Sequence, residues 1–308
     1  MWANGATLAV SGRSREDLME RPVVGILNTW SDINPCNLNL RDLAQEVRTG
    51  ILEAGGVPFE APLMSLSENI IKPTSFPFRN LLSMEAEECI RAYPFDAVVL
   101  LGGCDKTQPA LLMGAASAGV PMIFLGSGPA TPRAMAGASL GNATSVWRAV
   151  DELRSGKTPE GQFAALERNV MGAPGHCAEM GTASSMAVVC EALGVSLPGS
   201  SLIPAADSRR TQVALAVGRN SVRLAATGGP AELERRRAAW RPPAGTHVRG
   251  YRSLQRVVDS LSDGGDVQFR AVDQARQPER RRIDARRVVH DELRSQIAKA
   301  RPQTETVA

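Results

Sequence analysis

Residues 22–126 alternate short apolar runs with stretches whose apolar residues recur at helical spacing, and this alternation constrains the fold more than any other feature. "PVVGILNT" (22–29) reads as a buried strand ending in polar residues. In "NLNLRDLAQEVRTGILEAGG", Leu40, Leu43, Ala44, Val47, Ile51 and Leu52 mark a helix that Gly55 and Gly56 stop. "VPFEAPLMS" is a second strand, and "SMEAEECIRAYP" a helix with acids in its first turn that ends before Pro94. "FDAVVLLGG" is a third strand, "TQPALLMGAASAG" a helix with Pro109 in its opening turn, and "VPMIFLGSG" a fourth strand. Apolar strands separated by amphipathic helices predict an α/β fold with a parallel sheet flanked by helices.

That architecture gives position a meaning, because ligands of an open parallel sheet gather beyond the carboxyl ends of its strands. Asn28-Thr29 through Cys36, Ser65 through Glu68, Gly102 through Lys106 and Gly126 through Pro129 fall at such ends. Three of these four segments carry a potential metal ligand.

Composition removes other classes of function. Aromatic residues are 4% of the chain, too few for a platform that stacks nucleic-acid bases. No apolar run reaches the length of a membrane span, and no early segment reads as a secretion signal, so a cytoplasmic protein is expected. Five cysteines, Cys36, Cys89, Cys104, Cys177 and Cys190, are an odd set with no C-x-x-C pair, which points away from a disulfide framework, a zinc ribbon or a thioredoxin-type pair.

The net charge of +3 is unevenly placed. Residues 1–208 carry a balance of −7, and residues 209–308 one of +10, with 20 of the 21 basic residues there being arginine. From about residue 209 the strand–helix alternation stops. Two domains follow: residues 1–210, α/β, and residues 211–308, an Arg-rich segment expected to be poorly structured. "ERRR" at 234–237 and 279–282 could touch phosphate, but 11 acids accompany the arginines and no binding motif does, so solvated disorder outweighs nucleic-acid binding.

Three cysteines lie in small-residue or polar turns: Cys36 in "DINPCNLNL", Cys104 in "GGCDKTQP" and Cys177 in "GHCAEMGTASSM". Glycines beside Cys104 and Cys177 let the backbone approach a bulky inorganic group. Thiolates suit zinc or iron–sulfur centres, whereas a single cysteine is more often a buried apolar thiol. Asp105 and Glu68 could form a harder site for Mg²⁺, or serve only as loop acids capping helices. Lys106, one of four lysines, would need an anion, deprotonation or modification if it were buried there; otherwise it is an exposed loop lysine.

The stretches "NTWSDINPCNLNLRDLAQEVRTGILEAGGVPFEAPLMSLSE", "LLGGCDKTQPALLMGAASAGVPMIFLGSGP" and "GHCAEMGTASSMAVVCEALGVSLPGSSLIPAADSRR" resemble the dihydroxy-acid and sugar-acid dehydratases, in order, from about Pro22 to Arg210. The "GHC…MGTASSM" form is similar to the aldonic-acid branch. The resemblance implies a 2Fe–2S cluster on Cys36, Cys104 and Cys177, and a Mg²⁺ site of Glu68, Asp105 and a carbamylated Lys106. Cys89 and Cys190 match no ligand position and sit in helical patterns, so they are expected in the core. The implied reaction removes water from a 2,3-dihydroxy carboxylate to give a 2-keto acid. Mg²⁺ would hold the carboxylate and C2 hydroxyl, and the open iron the departing C3 hydroxyl.

The resemblance fades after about Arg210. The family's C-terminal β domain, its catalytic serine and a further glutamate for magnesium have no counterpart in the motifs of this chain. The Arg-rich segment therefore reads as an out-of-frame or divergent tail. Two expectations stand beside each other: a dehydratase whose base comes from a partner chain or the tail, and a truncated, non-catalytic remnant. The branched-chain dihydroxy-acid subgroup is a further alternative. The family also implies a small-molecule acid as substrate, and a homo-oligomer.

Overall fold

In the computed structural model, residues 9–227 are described, except 136, 142 and 143. Strands β1 (Val23–Asn28), β2 (Val57–Pro62), β3 (Ala97–Gly102) and β4 (Met122–Gly126) form one parallel sheet in the order β2-β1-β3-β4. β1 and β3 are buried along their whole length, as their unbroken apolar runs require. After a short helix α1 (Arg15–Glu20), the crossover helices are α2 (Leu40–Glu53), α3 (Arg79–Ala92) and α4 (Thr107–Ala118). The chain moves outward from β1 to β2 and in the opposite direction from β3 to β4. Right-handed crossovers then place α2 and α4 on opposite faces of the sheet. The reversal leaves a switch point between the carboxyl ends of β1 and β3, where Asn28 stands beside Leu101.

The expected elements form with shifted ends. α3 begins at Arg79, behind a 3₁₀ turn Phe76–Phe78, so its acids fall beyond the first turn. In α2 the buried positions are Leu40, Leu43, Ala44, Val47, Gly50 and Ile51, while Leu52 is 45% exposed. Leu52 lies one step, about 100°, past Ile51 and so leaves the apolar stripe. α4 is closed by Gly119 in the left-handed conformation, φ 73°, as a helix C-terminus favours.

Beyond β4 come a small hairpin, β5 (Arg133–Met135) and β6 (Ala138–Leu140), then α5 (Thr144–Arg154) and α6 (Glu160–Val170). Leu140, Ala149, Leu166 and Val170 form a satellite core between them. α7 (Thr182–Ala192) and α8 (Arg209–Thr227) complete the described chain.

α8 changes the expectation for the segment after residue 210. Ala214, Val217 and Val222 join Val24, Ile26, Val99, Leu101, Ile123, Leu125 and the α2 stripe in the main core. The 19 residues of α8 thus belong to the α/β fold although their arginines pass for a tail. The remainder of the Arg-rich segment, from residue 228, lies outside the described residues. α8 crosses α2 through paired glycines: a Cβ on Gly50 would stand 2.2 Å from the Leu215 carbonyl oxygen, and one on Gly218 would stand 2.2 Å from that of Val47.

Gly218→Ala is therefore expected to lower stability by about 1–3 kcal/mol, because the obstructing atoms are backbone and cannot step aside. Gly161→Ala, in α6 with open space around its Cα, is expected to raise stability by about 0.4–1 kcal/mol. Thermal unfolding of both variants checks the contrast.

Candidate metal centre

Four loops leave the carboxyl edge of the sheet or face it, and each delivers one part of a polar cluster. The loop after β1 holds Cys36, that after β2 holds Glu68, that after β3 holds Cys104 through Lys106, and that before α7 holds Cys177. Gly103 makes the first junction possible. A Cβ there would lie 1.9 Å from the Cys36 carbonyl oxygen, 2.4 Å from Ser127 Oγ and 2.7 Å from Asn37 Oδ1. Only glycine lets the β1 and β3 loops close to this distance.

Asn37 fixes the junction. Its fully buried amide donates to the Thr29 carbonyl at 2.9 Å, the Thr29 hydroxyl at 3.1 Å and Ser65 Oγ at 2.9 Å. Its Oδ1 accepts from the Gly103 N–H at 2.9 Å. Three strand ends are thus tied by one side chain. The Cys177 loop is docked by backbone alone: Gly175 N–H donates to the Pro35 carbonyl, His176 N–H to Gly128, and Ala130 N–H to His176, at 3.0, 3.0 and 2.8 Å.

Cys36 and Cys104 are 7% and 5% exposed. The neighbouring Cys104 thiol holds Cys36 below the ordinary range, and Cys36, together with burial, drives Cys104 well above it. Cys104 Sγ also donates to Asp105 Oδ1 at 3.0 Å. Burial pushes Cys177 up to about 12, and the charge of a Cys36 thiolate adds to the shift. His176 is fully buried, and burial pushes it down to about 4; its Nδ1 lies 3.1 Å from the Cys177 carbonyl, an acceptor, so Nδ1 carries the proton. Its Nε2 has no partner among the described residues.

The carboxylates collect around Lys106. Nζ is 3.1 Å from Asp105 Oδ2 and 3.8 Å from Glu68 Oε2. Burial would push the Asp105 carboxyl up, but Lys106, Cys104 and the Thr182 hydroxyl, which donates to Oδ2 at 2.8 Å, hold it below its usual value. For Glu68, burial is likewise outweighed, by the Ser75 hydroxyl, the Thr74 hydroxyl and the Ser75 N–H. Burial alone would depress the Lys106 ammonium, and Asp105, Cys104 and Glu68 raise it instead. A small cleft of about 20 Å³, lined by Met64, Leu66, Ser75, Arg79, Lys106 and Thr107, opens beside this group.

All six residues singled out from the sequence stand in these loops. Asn37, Thr182, His176 and Arg210 were not singled out, although each sits inside a stretch that carries the family resemblance. Only their partners in space distinguish them from ordinary polar residues of the same segments. Cys190 is buried in α7, as expected, whereas Cys89 on α3 is only partly buried; all five thiols are free.

Among the described residues, no three His, Cys, Asp or Glu side chains close on one point as a single ion requires. The donor set nonetheless fits a group wider than one ion. Two buried thiols, Cys36 and Cys104, and the half-buried thiol of Cys177 come from three loops, the glycine junction leaves backbone rather than side chains around two of them, and carboxylates are set apart near Lys106. No helix among the described residues is long and apolar enough to cross a membrane.

Comparison with known proteins identifies the family. Residues 21–239 match the family model for the dihydroxy-acid/6-phosphogluconate dehydratase N-terminal domain. The chain is 48% identical over 208 residues to an L-arabonate dehydratase of Azospirillum brasilense, covering 68% of this chain and 36% of that one. It is 43% identical over 217 residues to a 6-deoxy-6-sulfo-D-gluconate dehydratase of Pseudomonas putida, covering 70% and 38%. A dihydroxy-acid dehydratase of Metallosphaera sedula is 35% identical over 231 residues, covering 73% and 41%. The chain therefore belongs to the dihydroxy-acid/6-phosphogluconate dehydratase family, through that family's N-terminal domain. It spans well under half the length of these curated relatives.

Asn37→Ala would leave the Gly103 N–H and the Thr29 carbonyl unsatisfied in a dry interior. The expected loss is about 1–3 kcal/mol for each group so exposed, read as a lower urea midpoint.

Proposed function

We propose that this chain provides the metal-binding part of a sugar-acid dehydratase, a hydro-lyase that converts a 2,3-dihydroxy carboxylate into a 2-keto acid. The observation that carries this reading is the meeting of three thiols, two buried and one half-buried, with the Asp105–Lys106–Glu68 group at one sheet edge. Cys36, Cys104 and Cys177 would hold a 2Fe–2S cluster, and Glu68, Asp105 and Lys106, as its carbamate, a Mg²⁺ ion. When bound, the two groups supply Lewis acidity to the substrate's oxygens.

The protein's own residues prepare both positions. Thr74 and Ser75 hold the Glu68 carboxylate in its charged form, and Thr182 turns Asp105 toward Lys106. Cys104 links the sites: as a thiol it donates to Asp105 Oδ1, and loss of its proton to a thiolate frees that oxygen for a cation. Lys106 balances two carboxylates, Asp105 and Glu68. Carbamylation, in which the neutral amine adds carbon dioxide and releases a proton, would replace that cation with a third anionic oxygen ligand. The group that takes the C2 proton would come from a partner chain or from the chain beyond the described residues.

The sugar-acid branch is favoured over the branched-chain one because the relatives at 43% and 48% identity act on sugar acids by name, whereas the dihydroxy-acid enzyme stands at 35%. A second reading is a cluster-binding chain without turnover, since none of the residues assigned above has the role of taking the C2 proton.

Anaerobic purification with iron and sulfide analysis tests the centre. About two irons per chain, with a visible charge-transfer spectrum that Cys104→Ala abolishes, is the expected result. A folded, iron-free protein would return Cys104, Asp105 and Lys106 to the status of an ordinary turn. Formation of 2-keto acid from C5 and C6 aldonates by the loaded protein then separates the enzyme from the non-catalytic reading.

A further inference from the structure

Arg210 carries a charge that nothing among the described residues neutralises. It lies in the first turn of α8 and is 2% exposed. Its Nη1 donates to the Gly126 carbonyl at 3.2 Å and its Nη2 to the Ile203 carbonyl, both uncharged acceptors, while Nε has no partner. Asp207 is the carboxylate whose charge reaches it, yet Asp207 is paired at 2.7 Å with Arg209 on the surface. A guanidinium withdrawn this far from water is costly unless an anion approaches it.

The surroundings indicate where that anion belongs. The guanidinium packs on Gly128, where a Cβ would lie 2.5 Å from Nη2. The Gly128 carbonyl accepts from the N–H of His176, the residue before Cys177. Ser127, the other neighbour, reaches the Gly103–Cys36 junction, where a Cβ on Gly103 would meet its Oγ at 2.4 Å. Arg210 is thus separated from the loops that bear the three thiols by little more than one layer of small-residue backbone. His176, between them, is neutral and feels the Arg210 charge.

We propose that Arg210 is the counter-charge of the centre formed by Cys36, Cys104 and Cys177, a role that rests on the cluster reading above. Three thiolates exceed the positive charge of an oxidised two-iron core, so the loaded centre is an anion in a low-dielectric interior. Reduction makes it more negative still. A fixed cation behind Gly128 therefore stabilises the loaded form over the empty one and the reduced form over the oxidised one. Arg210 is a positioning and tuning residue: it touches neither the thiols nor a substrate.

The test is the midpoint potential of the cluster, from anaerobic dye-mediated titration followed by visible and EPR spectra, in wild type, Arg210→Lys and Arg210→Met. The expected result is a shift to more negative potential in R210M, largely restored in R210K, with R210M also losing iron faster to a chelator. An unmoved potential in loaded R210M overturns the proposal and leaves Arg210 as an anchor of α8. Equal negative shifts in R210K and R210M overturn it too, because hydrogen-bond geometry rather than charge would then be responsible. If R210M does not accumulate folded, Arg210→Gln against R210K makes the same comparison of charge. An iron-free wild type overturns the cluster reading itself, and this proposal with it, and is recognised before any variant is measured.

Discussion

The approach of Gly103 to the Cys36 carbonyl is the contact on which the rest of the site depends. β1 and β3 are neighbours in the sheet, and their exits diverge around the switch point unless something draws them together. A missing Cβ permits the approach and the Asn37 side chain enforces it, satisfying donors and acceptors that would otherwise be buried alone. Two thiols from distant parts of the chain then lie close enough to shift each other's protonation. The third reaches them on a loop held by backbone contacts to Pro35 and Gly128.

Charge is arranged on the same frame. Lys106 stands between Asp105 and Glu68, and each carboxylate is fixed from behind by hydroxyls, so both stay ionised despite partial burial. The thiols are different: Cys104 and Cys177 are driven toward the neutral form by burial and by the charges around them. Arg210, buried with neutral partners on the far side of Gly128, fits the same arrangement from outside the ligand shell.

Much of this was legible along the chain. The unbroken apolar runs of β1 and β3 identify a parallel sheet, and the polar residues that follow them mark the ligand edge. The six candidate ligands all fall in the expected loops. Leu52 departs from expectation because one residue's step on a helix changes the exposed face without changing composition, and α3 starts four residues before its expected first residue, Ser83, because the 3₁₀ turn Phe76–Phe78 leads into it. α8 was missed for a stronger reason: its arginines obscured an apolar stripe of small residues, Ala214 and Val217 among them, that only a close-packed partner makes meaningful. Gly50 and Gly218 look like helix weaknesses in isolation and are the points of contact in the fold.

The sequence by itself determined the fold class, the edge of the sheet where ligands gather, and the identity of the thiols and carboxylates there, because apolar periodicity and side-chain chemistry are local properties. Only the tertiary structure decided that Gly103 must lack a side chain, that Asn37 joins three strand ends, that α8 completes the core and that Arg210 lies buried without a paired carboxylate among the described residues. Each of these depends on distances between residues remote in the chain, and those distances exist only once the strands have paired and the helices have packed.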